Sequence, residues 1–189
     1  AFEDALNLIK EYPRSVKLLN ICGVISKDLG LYSQALDYFK MALKINPKAA
    51  EIHLNQGNVH DENGNHLLAE TSYINAIKFS PKLYNSYYNL GVLYKNIGKK
   101  KEAFTALKKV IEINPQHPQA LLNLGVISRE NKKIKDAINF FKKAINANPD
   151  YAEAYNNLGN AYQSSGNLSQ SVNCYRNALL LQPNLGEAW

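Results

Sequence analysis

Along residues 152–185 the apolar positions recur at helical intervals in two runs. Tyr155, Leu158 and Tyr162 form the first; Val172, Tyr175, Ala178 and Leu179 form the second, by i, i+3 and i+4 spacing. Between the runs stands Gly166, a residue that closes a helix cheaply because it adopts positive φ without a Cβ clash. Pro183 ends the second run, since the residue before a proline is driven out of helical geometry. The pattern predicts a pair of antiparallel amphipathic helices. It also places AYNNLGNAY, residues 154–162, inside a helix despite its asparagines and glycine.

The same pattern returns every 34 residues. Prolines stand at 13, 47, 81, 115, 149 and 183, and glycines at 23, 57, 91, 125 and 159. Turn glycines at 30, 64, 98 and 166 follow the same register; at the fourth turn Lys132 replaces glycine, and Asn131 beside it is expected to take the left-handed position. Second-helix alanines repeat as Ala35, Ala69, Ala103 and Ala137, and as Ala42, Ala76, Ala144 and Ala178. A mid-helix glycine costs about 1 kcal/mol relative to alanine, so its recurrence implies close approach of the partner helix. The third repeat departs in a pair. Leu107 stands where the others have Phe39, Tyr73, Phe141 and Tyr175, and Val110 stands in the alanine slot, so the two changes of volume offset one another.

A helix pair of this period with L-G-x-x-Y, then A-x-x-x-F/Y-x-x-A, then proline resembles the tetratricopeptide repeat family. Residues 124–149 carry it as L-G-V-I-S … A-I-N-F-F-K-K-A … P. The resemblance implies an all-α, right-handed superhelical solenoid of antiparallel helix pairs, whose first helices line a concave groove. Residues 1–15 are then the second helix of a truncated leading repeat, 16–185 five complete repeats, and 186–189, with Trp189, the start of another. The array is expected to continue, or to meet another domain, at one or both ends.

Composition narrows the function. Hydrophobic residues make up 46% of the 189 and charged residues 20%, which excludes a disordered chain. No apolar run approaches the roughly 20 residues of a membrane span, and without any targeting segment the expected location is cytoplasmic. Cys22 and Cys174 are too few for a disulfide framework. No nucleophile–base pair, phosphate loop or carboxylate pair suggests catalysis or a cofactor. His53, His60 and His66 lack further ligands at metal spacing, and the first two fall in ring-packing slots, paired like Tyr87/Tyr94 and Tyr155/Tyr162.

Asparagine carries the candidate chemistry. Asn55, Asn89, Asn123 and Asn157 recur every 34 residues, with Asn20 one position early in the first repeat, and Asn58 and Asn160 share their helical face. This ladder is similar to that of the groove-lining repeats of O-linked N-acetylglucosamine transferase, which implies that its amides hold a peptide backbone. An amide both donates and accepts, so it suits that task. The lysine that chaperone-binding repeats use for a carboxylate clamp is missing: its slot holds Asn20, Leu54, Tyr88, Leu122 and Asn156.

Charge adds a second surface. The net charge is +6, and residues 95–143 hold twelve Lys/Arg against four Asp/Glu. Lys99, Lys100, Lys101, Lys108, Lys109, Lys132, Lys133, Lys135, Lys142 and Lys143 fall on or near second helices of repeats three and four, where they suit an acidic partner. Nucleic acid is not expected, because the signature differs from that of helical-repeat RNA readers. The expected function is a non-enzymatic module that binds an extended or helical peptide in its groove. The alternatives are the substrate-recruiting arm of a larger glycosyltransferase- or sulfotransferase-type enzyme, and a scaffold that self-associates end to end.

Overall fold

The computed structural model describes residues 2–183, with the side chains of 2, 3, 5 and 6 excepted. Trp189 and residues 186–189 lie outside the described residues. Among those described there are helices and no strands. They run α1 (Phe2–Glu11), α2 (Val16–Asp28), α3 (Tyr32–Ile45), α4 (Ala50–Glu62), α5 (His66–Phe79), α6 (Tyr84–Asn96), α7 (Lys100–Ile113), α8 (Pro118–Glu130), α9 (Ile134–Ala147), α10 (Ala152–Ser164) and α11 (Leu168–Leu181). The chain divides into two compact units, Ala1–Gly98 and Lys99–Trp189.

The predicted punctuation accounts for the helix ends. At two of the asparagines that precede a repeat proline the side chain closes a small turn: Asn46 Oδ1 accepts from Lys48 N at 3.1 Å, and Asn148 Oδ1 from Asp150 N at 3.2 Å. At the other end of each first helix, Gly30, Gly64, Gly98 and Gly166 have φ of +74° to +81°. The following amide reaches back five residues, as from Leu31 N to Ser26 O at 2.8 Å and from Asn65 N to His60 O at 2.7 Å. These bonds satisfy carbonyls that the helix end leaves open.

The fourth turn corrects one expectation. Lys132 itself takes the left-handed conformation, at φ +59°, while Asn131 stays at −83°. The closing bond from Lys133 N to Ser128 O fixes the register of the turn, so the residue in the glycine position must turn left whatever its side chain. A left-handed non-glycine residue costs about 1–2 kcal/mol. Lys132→Gly is therefore expected to stabilise the protein by about 1 kcal/mol, seen as a higher urea midpoint with an unchanged slope.

The first helices start on different caps. Ser15 Oγ accepts from Leu18 N at 3.4 Å, and at α8 the imidazole of His117 does the same job, its Nδ1 accepting from Ala120 N at 3.2 Å. Burial lowers the His117 pKa below 6.5, against an opposing backbone hydrogen bond, and burial lowers that of His60 as well. Both favour the neutral ring in the folded state. Their contribution is complete above pH 6.5 and is lost as pH falls through the lowered folded values. The melting temperature is expected to hold above neutrality and to fall below pH 6.5. His117→Ser keeps a cap and should remove that residue's share of the slope.

Packing within each unit rests on a ring against a glycine. A Cβ on Gly23 would lie 2.4 Å from Phe39 Cε1; on Gly57, 2.5 Å from Tyr73 Cε1; on Gly125, 2.4 Å from Phe141 Cε1; and on Gly159, 2.6 Å from Tyr175 Cε1. The close approach expected from the repeat is thus of first-helix backbone to a second-helix aromatic face. Beside the rings, Ala35, Ala42, Ala69, Ala76, Ala137 and Ala144 are fully buried, as are Leu107 and Val110 of the third repeat.

On α11, Val172 is 57% and Leu179 44% exposed, whereas Ser171, Cys174 and Ala178 are buried. Tyr175 meets α10 through its ring on Gly159, and Ser171 through its hydroxyl, which donates to Gly159 O at 2.9 Å. Val172 and Leu179, with Tyr175, Arg176 and Leu180, line a separate surface hollow of about 420 Å3.

Candidate functional site

In the N-terminal unit the first helices α2, α4 and α6 are neighbours, and in the C-terminal unit α8 and α10 are. The expected ladder residues lie on these helices, but they are held in different ways.

In the N-terminal unit the amides join one helix to the next. Asn55 Nδ2 donates to Asn20 Oδ1 at 2.9 Å, linking α4 to α2. Asn89 Nδ2 donates to Asn58 Oδ1 at 2.7 Å, linking α6 to α4. All four residues are half-buried. Partners are therefore offset from the 34-residue register, by 35 and by 31 positions. In the C-terminal unit the rungs turn inward instead. Asn123 and Asn157 are each 8% exposed, and their Nδ2 atoms donate to the carbonyls of Gln119 and Glu153 one turn earlier, both at 3.0 Å.

Asn58 and Asn160 have a further partner. Tyr73, in the ring slot, donates its hydroxyl to Asn58 Oδ1 at 3.1 Å, and Tyr175 donates to Asn160 Oδ1 at 2.7 Å. Fifteen residues separate each pair. The other three repeats carry Val24, Val92 and Val126 at the position of these asparagines, and Phe39, Leu107 and Phe141 at the position of the tyrosines. A buried hydroxyl requires an acceptor; a phenylalanine or leucine does not. The amide thus follows the hydroxyl, a covariation readable from the repeats that sequence reasoning missed.

Around Asn58 and Asn89 the N-terminal unit opens a cavity of about 320 Å3, walled also by Asp61, Glu62, Tyr88 and Val92, with Tyr73 at its base. Its edge is acidic, though both carboxylates have partners: Asp61 Oδ1 lies 3.1 Å from His66 Nδ1, and Glu62 Oε1 lies 3.2 Å from Lys27 Nζ. Lys27 also pairs with Asp28 at 2.9 Å, and that hydrogen bond, with the smaller pull of Glu62 against burial, raises its pKa. Burial, then the charges of Asp61 and Glu62, push the Tyr73 phenol well above its ordinary range, so it is a hydrogen-bond donor at any physiological pH. The arrangement presents amides, one carboxylate edge and an aromatic wall.

Of His53, His60 and His66, His53 packs against a ring and His66 is exposed. His53 stacks on Phe79 with centroids 5.3 Å apart, and its Nε2 lies 2.9 Å from Pro47 O. Among the described residues, no three or more His, Cys, Asp or Glu gather as metal ligands, and no helix is long and apolar enough to cross a membrane. Cys22 and Cys174 are buried free thiols.

Paired helices closed by a left-handed turn and a proline, repeated in register, define a helical-repeat protein. The chain belongs to the tetratricopeptide repeat family. Models described as tetratricopeptide repeat match residues 27–83, 84–117, 106–139 and 152–185, and one described as TPR repeat matches 127–166, so together they tile 27–185. No curated protein matches the chain. Among solved structures, a crystal structure of MamA is similar at 25% identity and TM-score 0.78, over 87% of this chain and 96% of that one. MamA from Desulfovibrio magneticus RS-1 aligns at 19% identity and TM-score 0.78, over 89% and 96%. YrrB, described as a TPR protein with an unusual peptide-binding site, aligns at 20% identity and TM-score 0.78, over 97% and 95%.

Proposed function

We propose that this chain is a protein-interaction module whose first-helix face holds an extended or helical peptide segment, with no reaction of its own. On the same proposal the sequence divides into five complete repeats over 16–185, with partial ones at 1–15 and 186–189. The observation that carries the reading is the half-buried amide set Asn20, Asn55, Asn58 and Asn89 of the N-terminal unit, of which Asn58 and Asn89 line its open cavity. Asn20, Asn55 and Asn89 each make one cross-helix bond and Asn58 Oδ1 accepts two, from Asn89 and Tyr73, and each amide keeps further capacity, since an asparagine side chain has two donors and two acceptor lone pairs. Asp61 and Glu62 at the edge favour a segment that carries lysine or arginine. Asn123, Asn157 and Asn160 are the matching positions within the C-terminal unit, where the first two, being buried, contribute a fixed surface more than free hydrogen bonds.

The test is binding against folding. Peptides selected from an array of random decamers on the intact protein are titrated against Asn55→Ala and Asn89→Ala. Helicity is expected to be retained at the assay temperature, while affinity falls about tenfold for each, the scale of one well-placed polar contact. Variants that are fully folded and bind every selected peptide as before would remove the amides from the site.

A further inference from the structure

On the first helices one slot reads Ser26, His60, Tyr94, Ser128 and Tyr162 in successive repeats, and 24 residues earlier stands a second-helix residue of the preceding repeat. For Tyr94 that residue is Glu70, and the phenol donates to its Oε1 at 2.7 Å. For Tyr162 it is Ile138, which packs against the core that buries the ring, with Lys142 Nζ 5.7 Å from the ring centroid. For Ser128 it is Phe104, and there is no ring to fill the space. What remains is a cavity of about 360 Å3, lined by Lys100, Lys101, Phe104, Ser128, Asn131 and Lys133.

Its chemistry is apolar inside and basic at the mouth. Phe104 forms the wall and is steadied edge-on by Phe140, centroids 6.3 Å apart and planes at 77°. Ser128 is 2% exposed, and its hydroxyl has no hydrogen-bond partner. Lys100 is held by Glu130 at 2.7 Å, while Lys101 and Lys133 are exposed and make no ion pair among the described residues. Lys132 stands beside them on the left-handed turn. A bare anion would satisfy the lysines and leave the Phe104 wall empty; an uncharged ring would do the reverse.

We propose that this pocket receives an aromatic side chain, tyrosine above all, from an acidic segment of a partner protein. The ring takes the slot that Tyr94 and Tyr162 fill from within the chain, and the flanking carboxylates meet Lys101 and Lys133. The occupant is an aromatic anchor of the kind that dominates interface energetics, with charge at the rim to orient it. The site is separate from the first-helix amides and does not depend on their role.

The probe is a fluorescein-labelled peptide Glu-Glu-Tyr-Glu-Glu, titrated into the intact protein beside Glu-Glu-Ala-Glu-Glu and an oligouridylate. The tyrosine peptide is expected to bind about tenfold or more tightly than the alanine one and to shift the amide resonances of Phe104, Ser128 and Asn131. Ser128→Tyr, which refills the slot as neighbouring repeats do, is expected to remove that preference while peptides selected on the first-helix face bind unchanged. Lys101→Glu with Lys133→Glu, at exposed positions, should abolish binding and leave the melting curve in place, which keeps the test valid if Ser128→Tyr does not fold. Equal binding of the two peptides, tyrosine binding that survives either substitution, or shifts produced by oligouridylate alone would overturn the proposal.

Discussion

Gly125→Ala is expected to destabilise the protein even though alanine is the better helix former. The added methyl carbon would lie 2.4 Å from Cε1, 2.6 Å from Cδ1 and 2.9 Å from Cζ of Phe141, a fully buried ring. Alanine gains about 1 kcal/mol of helix propensity, whereas forcing a methyl into a filled core costs about 1–3 kcal/mol. Three atoms at such distances put this site at the upper end, so the net loss should be about 2 kcal/mol. The third repeat suggests its own rescue, because Leu107 occupies the ring slot there. Phe141→Leu alone should be destabilising through the cavity it leaves. With Gly125→Ala, it should lose at least about 1 kcal/mol less than the sum of the single variants, measured as a coupling energy in a double-mutant cycle by urea unfolding. Additive effects would mean that the glycine is not there for the ring.

The second large effect concerns the hydroxyl of Tyr73. The residue is 1% exposed, and its phenol donates to Asn58 Oδ1. Asn58→Val would leave that buried donor unsatisfied and take away the acceptor of Asn89, at a cost of about 1–3 kcal/mol. Tyr73→Phe removes the need and should recover most of the loss, recreating the Phe39 and Val24 combination of the first repeat. The equivalent Asn160→Val should cost less, because Gln163 Oε1 stands 3.1 Å from the Tyr175 hydroxyl as a second acceptor. Thermal or urea unfolding of the four variants checks the order: Asn58→Val worst, the double variant near the parent.

These two sites also show how far the sequence could be read. Periodic proline, glycine and alanine specify helix pairs and their ends, because each acts through local geometry or through a contact that every repeat shares. The Lys132 turn was misassigned because the residue number in the turn, set by the bond from Lys133 N to Ser128 O, overrides the preference of asparagine for positive φ. The asparagines divided for another reason. Their bonds run at offsets of 31 and 35 between helices, and 4 within one, so a strict 34-residue alignment conceals them. The cavity beside Asn58 had no sequence signal, since Asp61 has no acidic counterpart in the other repeats and the acid at 62 returns as Asp28 and Glu130 without that neighbour. The empty slot at Ser128 had one in the alternation of serine with tyrosine, but its meaning depends on which residue lies opposite.

The first-helix face is the centre of the functional reading, and amide hydrogen exchange locates a bound peptide directly. With a selected decamer at saturation, slowed exchange is expected in α2, α4 and α6, strongest around Asn55, Asn58 and Asn89, with α3 and α5 little changed. Protection confined to the second helices, or to the turns that join them, would contradict the account.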